Sequence, residues 1–438
     1  MTADEAGARG PSGRPRAVLL VANAAAPYSR GLRVARSLAG VGFEVEIAAL
    51  AAPGHPDIEV DGAIRTVRYH PTGPWARFDR GASGRPRTGI RGRIAHVADL
   101  VAKFVGWPAH VRGWWGALER ELPPADLYHA FGILTIPVAL RLARSARRHG
   151  RRGAVAYDVI EVILESNNVV WMPRPMLALQ RWRERRWAAA SDAVVTVNDA
   201  LADHLESAWR MRTRPLVLLN AQPRWQPPDP PDDLIRPATG IPAERRIVLF
   251  LGRLGRERGL EVAAEAVLAL DDAALVLLGF GAWADRLSER DRDPRFAGRH
   301  FTLPPVHPDD VPAWTASADA TIIAVPANSL NQRLSTPNKF WESLTAGTPI
   351  VVGRDLEVMR KIVEQERIGA IADPLDPVDV AAALRSILDA PADERAAMRA
   401  RARRAADERY SWEAAVEPYL ALVDRLTAGP RPSLPERS

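Results

Sequence analysis

Short apolar runs rich in Val, Ile, Leu and Ala recur along the chain, separated by longer stretches whose apolar residues return every three or four positions. Runs of the first kind, bounded by turn residues, read as buried strands, and the 3.6-residue return reads as helices. Strands are predicted at 17–22, 44–49, 125–129, 154–157, 193–197 and 216–219, and in the second half at 247–252, 275–279, 320–325 and 350–352. Continuous apolar runs, not alternating ones, belong to parallel sheets covered by helices on both faces. The Pro-rich stretch 221–246 divides the two sets and reads as a linker, with no helix or central strand. The predicted class is α/β, with two doubly wound, Rossmann-like domains facing a central cleft. Ligands are expected there, at the carboxyl ends of the strands.

The pattern is sharpest at 334–352, LSTPNKFWESLTAGTPIVV. Thr336 fits a helix N-cap and Pro337 the first helical position. Gly347 can end the helix in a left-handed conformation, and Pro349 blocks continuation. Phe340 and Leu344 share the face that would pack on a sheet, while Asn338 and Glu342 share another. The free N–H groups at such a helix start attract anions, and Glu342 lies one turn in as a hydroxyl acceptor. A diphosphate joined to a ribose suits both groups. An ordinary surface helix with an exposed Glu carries the same start and stop signals.

Composition narrows the function. A chain of 438 residues accommodates two domains of about 200 residues each. No uninterrupted apolar run reaches the roughly 18 residues of a membrane span, and MTADEAGARGPSGRPR lacks the apolar core of a secretory signal. The expected location is cytoplasmic, or peripheral at the inner face of the membrane. With no cysteine, disulfides, thiolate metal sites and cysteine nucleophiles are excluded. The nine histidines are scattered without an HExxH pattern, so no metal site is expected; the acidic pairs at Asp232, Asp271 and Asp309 read as turns or caps. A net charge of +6 favours anionic ligands, but acids are interspersed among the arginines and no zinc-finger or RNP motif is present, so no nucleic-acid partner is expected. Two segments break the regular pattern. Residues 72–93 read as a basic loop, and 94–118 as one or two helices carrying Trp107, Trp114 and Trp115, broken near Pro108. They read either as a packed helix beside a solvated loop or as a contact with an anionic membrane surface.

The segment PNKFWESLTAGTPIVV resembles the donor-site segment of family 4 glycosyltransferases, which have the GT-B fold. In order along the chain, DLYHAFG (126–132), VVTVNDALADHL (194–205), IVLFLGRLGRERGLE (247–261), LVLLGFG (275–281) and ERYSWEAAVEPYLALVDRL (408–426) are similar to further elements of that family. The resemblance implies a tail at 1–15, an acceptor-binding domain at 16–225, a linker at 226–245 and a donor-binding domain at 246–410. A last helix at 411–428 would pack back on the first domain, before a tail at 429–438. It also implies retaining transfer from a nucleotide-diphosphate sugar, with no other cofactor, to a glycan, lipid-linked or small-molecule acceptor.

Such a transfer expels a diphosphate, whose growing charge fixed cations and helix starts stabilise. By resemblance Arg253 and Arg258 grip the diphosphate, Arg258 standing where Lys is usual. Gly252 and Gly259 admit backbone to the phosphates, Gly279 and Gly281 form the next turn, and Thr336, Asn338 and Lys339 lie on the donor side. Glu342 maps onto the ribose-binding glutamate. Leu334 occupies the place of a second glutamate that often contacts the donor sugar, so backbone groups at 331–335 are expected to serve instead. On the acceptor side, His129 matches the first His of a common element whose second position is Phe131 here. AYDVIE (156–161) resembles another element, offering Asp158 and Glu161 but Ile160 where His is common. Tyr28, Ser29 and Arg30 would line the cleft in a segment without the family's Gly-Gly loop. Two rival readings remain: a catalytically silent subunit partnering an active transferase, favoured by the missing glutamate and histidines, and a nucleotide-sugar epimerase or hydrolase, which needs more catalytic carboxylates and histidines.

Overall fold

The computed structural model describes residues 14–26, 28–74, 106–228, 232–296 and 298–428. The first half forms an eight-stranded sheet: β1 (Arg16–Val21), β2 (Glu44–Leu50), β3 (Ile58–Asp61), β4 (Ile64–Tyr69), β5 (Leu127–Phe131), β6 (Ala154–Val159), β7 (Ala193–Thr196) and β8 (Leu216–Val217). Their spatial order is β3-β4-β2-β1-β5-β6-β7-β8, and all neighbours are parallel except the β3–β4 hairpin. The second half forms a fully parallel six-stranded sheet from β9 (Arg246–Arg253), β10 (Ala273–Phe280), β11 (His300–Leu303), β12 (Ala320–Ile323), β13 (Ile350–Gly353) and β14 (Gly369–Ala372), ordered β11-β10-β9-β12-β13-β14. This is the two-domain, Rossmann-like GT-B architecture. The order reverses between β1 and β5 in one sheet and between β9 and β12 in the other. At such switch points neighbouring helices leave on opposite faces and open a crevice at the strands' carboxyl ends.

Every predicted strand falls on an observed one. The sequence did not reveal β3, β4, β11 and β14. The β3–β4 hairpin is an edge, and β4 carries Arg65 and Arg68 within its run. Arg68 is nonetheless buried, donating to the carbonyl oxygens of Ala24 and Pro56 and pairing with Glu59. The short β14, GAIA, has no distinctive apolar run.

One face of the first sheet is covered by the helices Trp107–Glu121 and Ile136–Arg148. Pro108 opens the first of these, where its missing N–H is harmless, instead of breaking it. Trp114 is wholly buried and donates to the Ala49 carbonyl at 3.0 Å, and Trp115 donates to that of Leu134 at 2.9 Å. Trp114 lies in the core and Trp115 packs against it, in line with the packed-helix reading of this segment. Most of the basic loop and the first part of the 94–118 segment lie outside the described residues. The opposite face is covered by the helix Ser29–Gly40 and by the last helix, Trp412–Thr427, whose Val416, Tyr419 and Val423 join the same buried cluster as Val34 and Leu38. The chain therefore crosses back to its first domain at its end.

The linker also departs from expectation. Ile235–Thr239 is a short helix with Pro237 in its first turn, and Ile235 inserts into the core beneath the second sheet. Among the described residues no helix is long and apolar enough to cross a membrane.

Candidate active site

The donor side is built at the end of β9. Gly252 takes φ +99°, and Gly259, at φ +69°, starts the helix Leu260–Leu268. A side chain at Gly259 would collide with the carbonyl oxygen of Ala324, just past β12. The loop from 253 to 258 is thereby held over the switch point. Arg253 is largely exposed; Arg258 is less so, and Glu257 stands 4.0 Å from the first and 3.6 Å from the second. Gly279 and Gly281 flank Phe280, an exposed ring that the sequence reading did not anticipate. Leu254 N–H donates to the Phe280 carbonyl at 2.7 Å, so the two turns lie side by side.

Opposite this loop, the helix Asn338–Ala346 begins one residue later than predicted, with Pro337 in the cap position. Thr336 does not cap it; its hydroxyl is buried and lies 3.4 Å from Asn198 Nδ2. Phe340 and Leu344 are buried against the sheet and Gly347 closes the helix at φ +69°. Lys339, in the first turn, lays its ammonium 3.6 Å from the centre of the Phe250 ring. It passes beneath Gly252, where a side chain would touch it. That ammonium is buried and has no hydrogen-bond partner. Burial, aided by nearby Arg258 and opposed by Glu342, lowers its pKa to about 7. An orphaned buried cation is unfavourable on its own and is relieved by an anion brought to it.

One turn on, burial raises the Glu342 pKa to about 7 against the pull of Lys339 and Arg33. Arg33 comes from the other domain. Its guanidinium donates to Gln222 Oε1 at 3.1 Å and Asn220 Oδ1 at 2.8 Å and lies 5.3 Å from the Trp412 ring centre. Burial, with Arg30 nearby, lowers its pKa to about 10. Gln222 Nε2 in turn sits 3.5 Å from Glu342 Oε1. Arg33, Asn220 and Gln222 were missed by sequence reasoning, although Arg33 lies four residues beyond Ser29 on one helix face. Asn338 Nδ2 donates to Ser29 Oγ at 3.0 Å, and Asn220 Nδ2 donates to Asn338 Oδ1. The start of the donor helix is thus tied to the acceptor domain.

The expected acceptor residues divide. Tyr28 packs edge-on against Phe131 at 5.3 Å, and burial and the nearby carboxylates keep its phenol protonated. Ser29 faces Asn338, and Glu161 is exposed just past β6. His129, Asp158 and Arg30 are enclosed beneath them, which corrects the expectation that they line the cleft. His129 Nε2 lies 3.0 Å from Asp158 Oδ2, and its Nδ1 lies 2.8 Å from the Tyr419 hydroxyl. Arg30 donates through Nε and Nη2 to both Asp158 oxygens, and to the Leu218 carbonyl. Burial opposes the Asp158 charge, but Arg30 and His129 outweigh it and hold the carboxyl below its ordinary range. With both ring nitrogens engaged and no exposed surface, His129 is placed to fasten the last helix, not to take a proton from a substrate.

The loop around position 334 also joins the domains. Leu334 is buried in the first domain's core cluster, and the partly buried Leu330 packs against that cluster. Asn198 Nδ2 donates to its carbonyl at 2.8 Å, and Val162 N–H donates to Asn331 Oδ1 at 2.9 Å. Part of the backbone expected to hold the sugar is therefore engaged between the domains. Among the described residues no three His, Asp or Glu side chains gather as a metal site.

Residues 231–405 match the family model described as glycosyl transferases group 1. The chain is 26% identical to a D-inositol 3-phosphate glycosyltransferase of Xylanimonas cellulosilytica, over 90% of each. Among solved structures it resembles sucrose-phosphate synthase from Thermosynechococcus elongatus, with a TM-score of 0.68 at 17% identity over 95% of this chain and 100% of that one. It also resembles Alr3699/HepE of Anabaena, solved in complex with UDP, with a TM-score of 0.61 at 14% identity over 94% and 100%. With a group 1 domain over 231–405 and two facing Rossmann-like sheets, the chain is a glycosyltransferase of the GT-B fold.

Proposed function

We propose that the enzyme transfers a glycosyl group, with retention as in family 4, from a nucleotide-diphosphate sugar to an acceptor held over the first sheet. The observation that carries the donor assignment is the buried ammonium of Lys339, without a hydrogen-bond acceptor, between the Arg253–Gly259 loop and the start of the donor helix. A diphosphate there would meet Lys339, Arg258 and Arg253, while Glu342, one turn deeper, would accept from a ribose hydroxyl. As the glycosidic bond breaks, charge grows on the leaving phosphate, and these fixed cations stabilise it without rearrangement. The enclosed His129 and Asp158 offer no base to the cleft. That fits front-face attack, in which the leaving phosphate takes the acceptor proton. The acceptor in this reading is a glycan, a lipid-linked molecule or a small molecule.

Thermal-shift screening against UDP, GDP, ADP, TDP and their sugars tests the donor site. A ligand at 100 times its dissociation constant stabilises by about 2.7 kcal/mol. A shift with one nucleotide, lost in Arg253→Ala and Glu342→Gln, supports the reading, and no shift with any of them overturns it. The anomeric configuration of the product tests retention.

A further inference from the structure

The chain passes between the domains twice, just after β8 and just before the last helix, and the two crossings are fastened together. Gln222 pairs with Ser411 in a parallel bridge, and the Trp412 N–H donates to the Gln222 carbonyl at 2.8 Å. Further along, the Arg224 guanidinium donates to the Asp407 carbonyl at 3.2 Å. The backbone of Gln222 is therefore held at the seam, and its side chain reaches the donor site. Gln222 Oε1 accepts from Arg33 Nη1 at 3.1 Å. A guanidinium only donates, so the amide oxygen must face Arg33 and the NH2 group must face Glu342 Oε1, 3.5 Å away. Arg33 is itself held, because it also donates to Asn220 Oδ1 at 2.8 Å and lies over the Trp412 ring. Asn220 is fastened in turn through Asn338 to Ser29, one turn before Arg33 on the same helix, which closes a ring. Among the described residues Gln222 is the only hydrogen-bond donor to the Glu342 carboxylate; Lys339 and Arg33 act on it through charge. That one bond is long, and an ionised carboxylate accepts about four, so Glu342 is oriented but far from satisfied.

We propose that Gln222 is a positioning residue for the donor. Its amide, fixed by Arg33, turns the Glu342 carboxylate toward the place of the ribose before the nucleotide arrives. This rests on the donor reading above and goes beyond it. Every group assigned there to the nucleotide belongs to the second domain, whereas Gln222 lies in the seam and takes its orientation from a helix of the first. A free carboxylate side chain samples several rotamers, and ordering it on binding costs affinity. Holding it beforehand removes that cost. The first domain thereby strengthens nucleotide binding while acting only through Glu342. A seam that served merely to join the domains would affect the diphosphate and the ribose alike, and that difference separates the two roles.

Calorimetry on the full-length protein measures UDP, GDP, ADP, TDP and inorganic pyrophosphate against the parent, Gln222→Met and Gln222→Glu. Pyrophosphate carries the charge that Lys339 and the loop arginines grip but has no ribose, so it reads the grip without Glu342. For whichever nucleotide the parent binds, Gln222→Met should weaken it about tenfold and leave pyrophosphate within about twofold. Gln222→Glu keeps an acceptor for Arg33, and so keeps the seam, but sets a second carboxylate against Glu342; it should weaken the nucleotide at least as much. In a Glu342→Gln background, Gln222→Met should have no further effect on the nucleotide, because it acts through that carboxylate. Equal losses for pyrophosphate and nucleotide overturn the proposal. So does a Gln222→Glu variant that binds nucleotide as the parent does, or a Gln222→Met effect of the same size with and without Glu342. A parent that binds none of the nucleotides overturns the donor reading itself, and this inference with it.

Discussion

Replacing Lys339 by Met should make the ligand-free protein more stable while removing its grip on the donor. The ammonium is buried over Phe250 without an acceptor, and its pKa falls from 10.5 to about 7. At about 1.4 kcal/mol per pKa unit, holding the charge in the fold opposes folding by an upper limit on the order of 5 kcal/mol. Rearrangement of the long side chain and water entry reduce this, so a gain of about 1–3 kcal/mol is expected from a neutral side chain of similar volume. For a domain of this size that is a rise of about 3–8 °C in melting temperature. The sign with pH follows from the depressed pKa. The unfolded chain binds more protons between about pH 7 and 10.5, so the wild-type penalty is complete below pH 7 and vanishes above 10.5. The gap between variant and parent should be widest in acid and close as pH rises. In binding the order reverses. Loss of a charge-assisted bond to phosphate should weaken the nucleoside diphosphate about ten- to a hundredfold. The parent must also take up a proton to bind above pH 7, so its affinity should fall by up to about tenfold per pH unit from about pH 7.5 to 9. Calorimetry in buffers of different ionisation heat reads that proton directly. A Met variant that melts lower than the parent at pH 6, or keeps its nucleotide affinity, refutes the reasoning.

Glu342→Gln should weaken the nucleotide and leave stability unchanged at pH 4.5. It should gain about 1–2 kcal/mol over the parent by pH 8, because the raised pKa means the carboxylate opposes folding only once ionised; parallel pH–stability curves would count against it. Asp158→Asn leaves the buried Arg30 guanidinium without its counter-ion and should destabilise by about 3–5 kcal/mol in urea unfolding. Nucleotide affinity should not move, and a lost affinity in folded protein would return Asp158 to the cleft. Leu334→Ala empties a contact between the domains and should cost about 2–3 kcal/mol. The amides of Val162 and of 330–336 should then exchange faster; unchanged protection would mean the loop is held by its hydrogen bonds alone.

The strands and the donor helix were legible because their signals are local. An apolar run marks a strand covered on both faces, and a Gly after the last turn marks a stop wherever the chain folds. What makes Lys339 a binding group is not local: Phe250 and Gly252 reach it from β9, and only their arrangement shows that its ammonium has no hydrogen-bond acceptor. His129 failed for the same reason. The sequence shows a polar residue near the carboxyl end of a strand, which suits a cleft group and a buried one equally. Its partner Tyr419 lies 290 residues away, on a helix whose return to the first sheet only the resemblance had indicated.

Leu334 is the instructive case, because the residue was read correctly and its setting was not. As a missing glutamate it counted toward a silent subunit. In the structure it is an apolar anchor, and Asn198 and Val162 fasten the same loop from the first domain. A carboxylate in that contact would be buried among the apolar groups of the first domain's core cluster, which is costly. The leucine therefore suits the docked loop. The loop is pinned between the domains by the substitution that removes a polar group from it, so the absence of the glutamate describes how this cleft is held together and is no argument against catalysis.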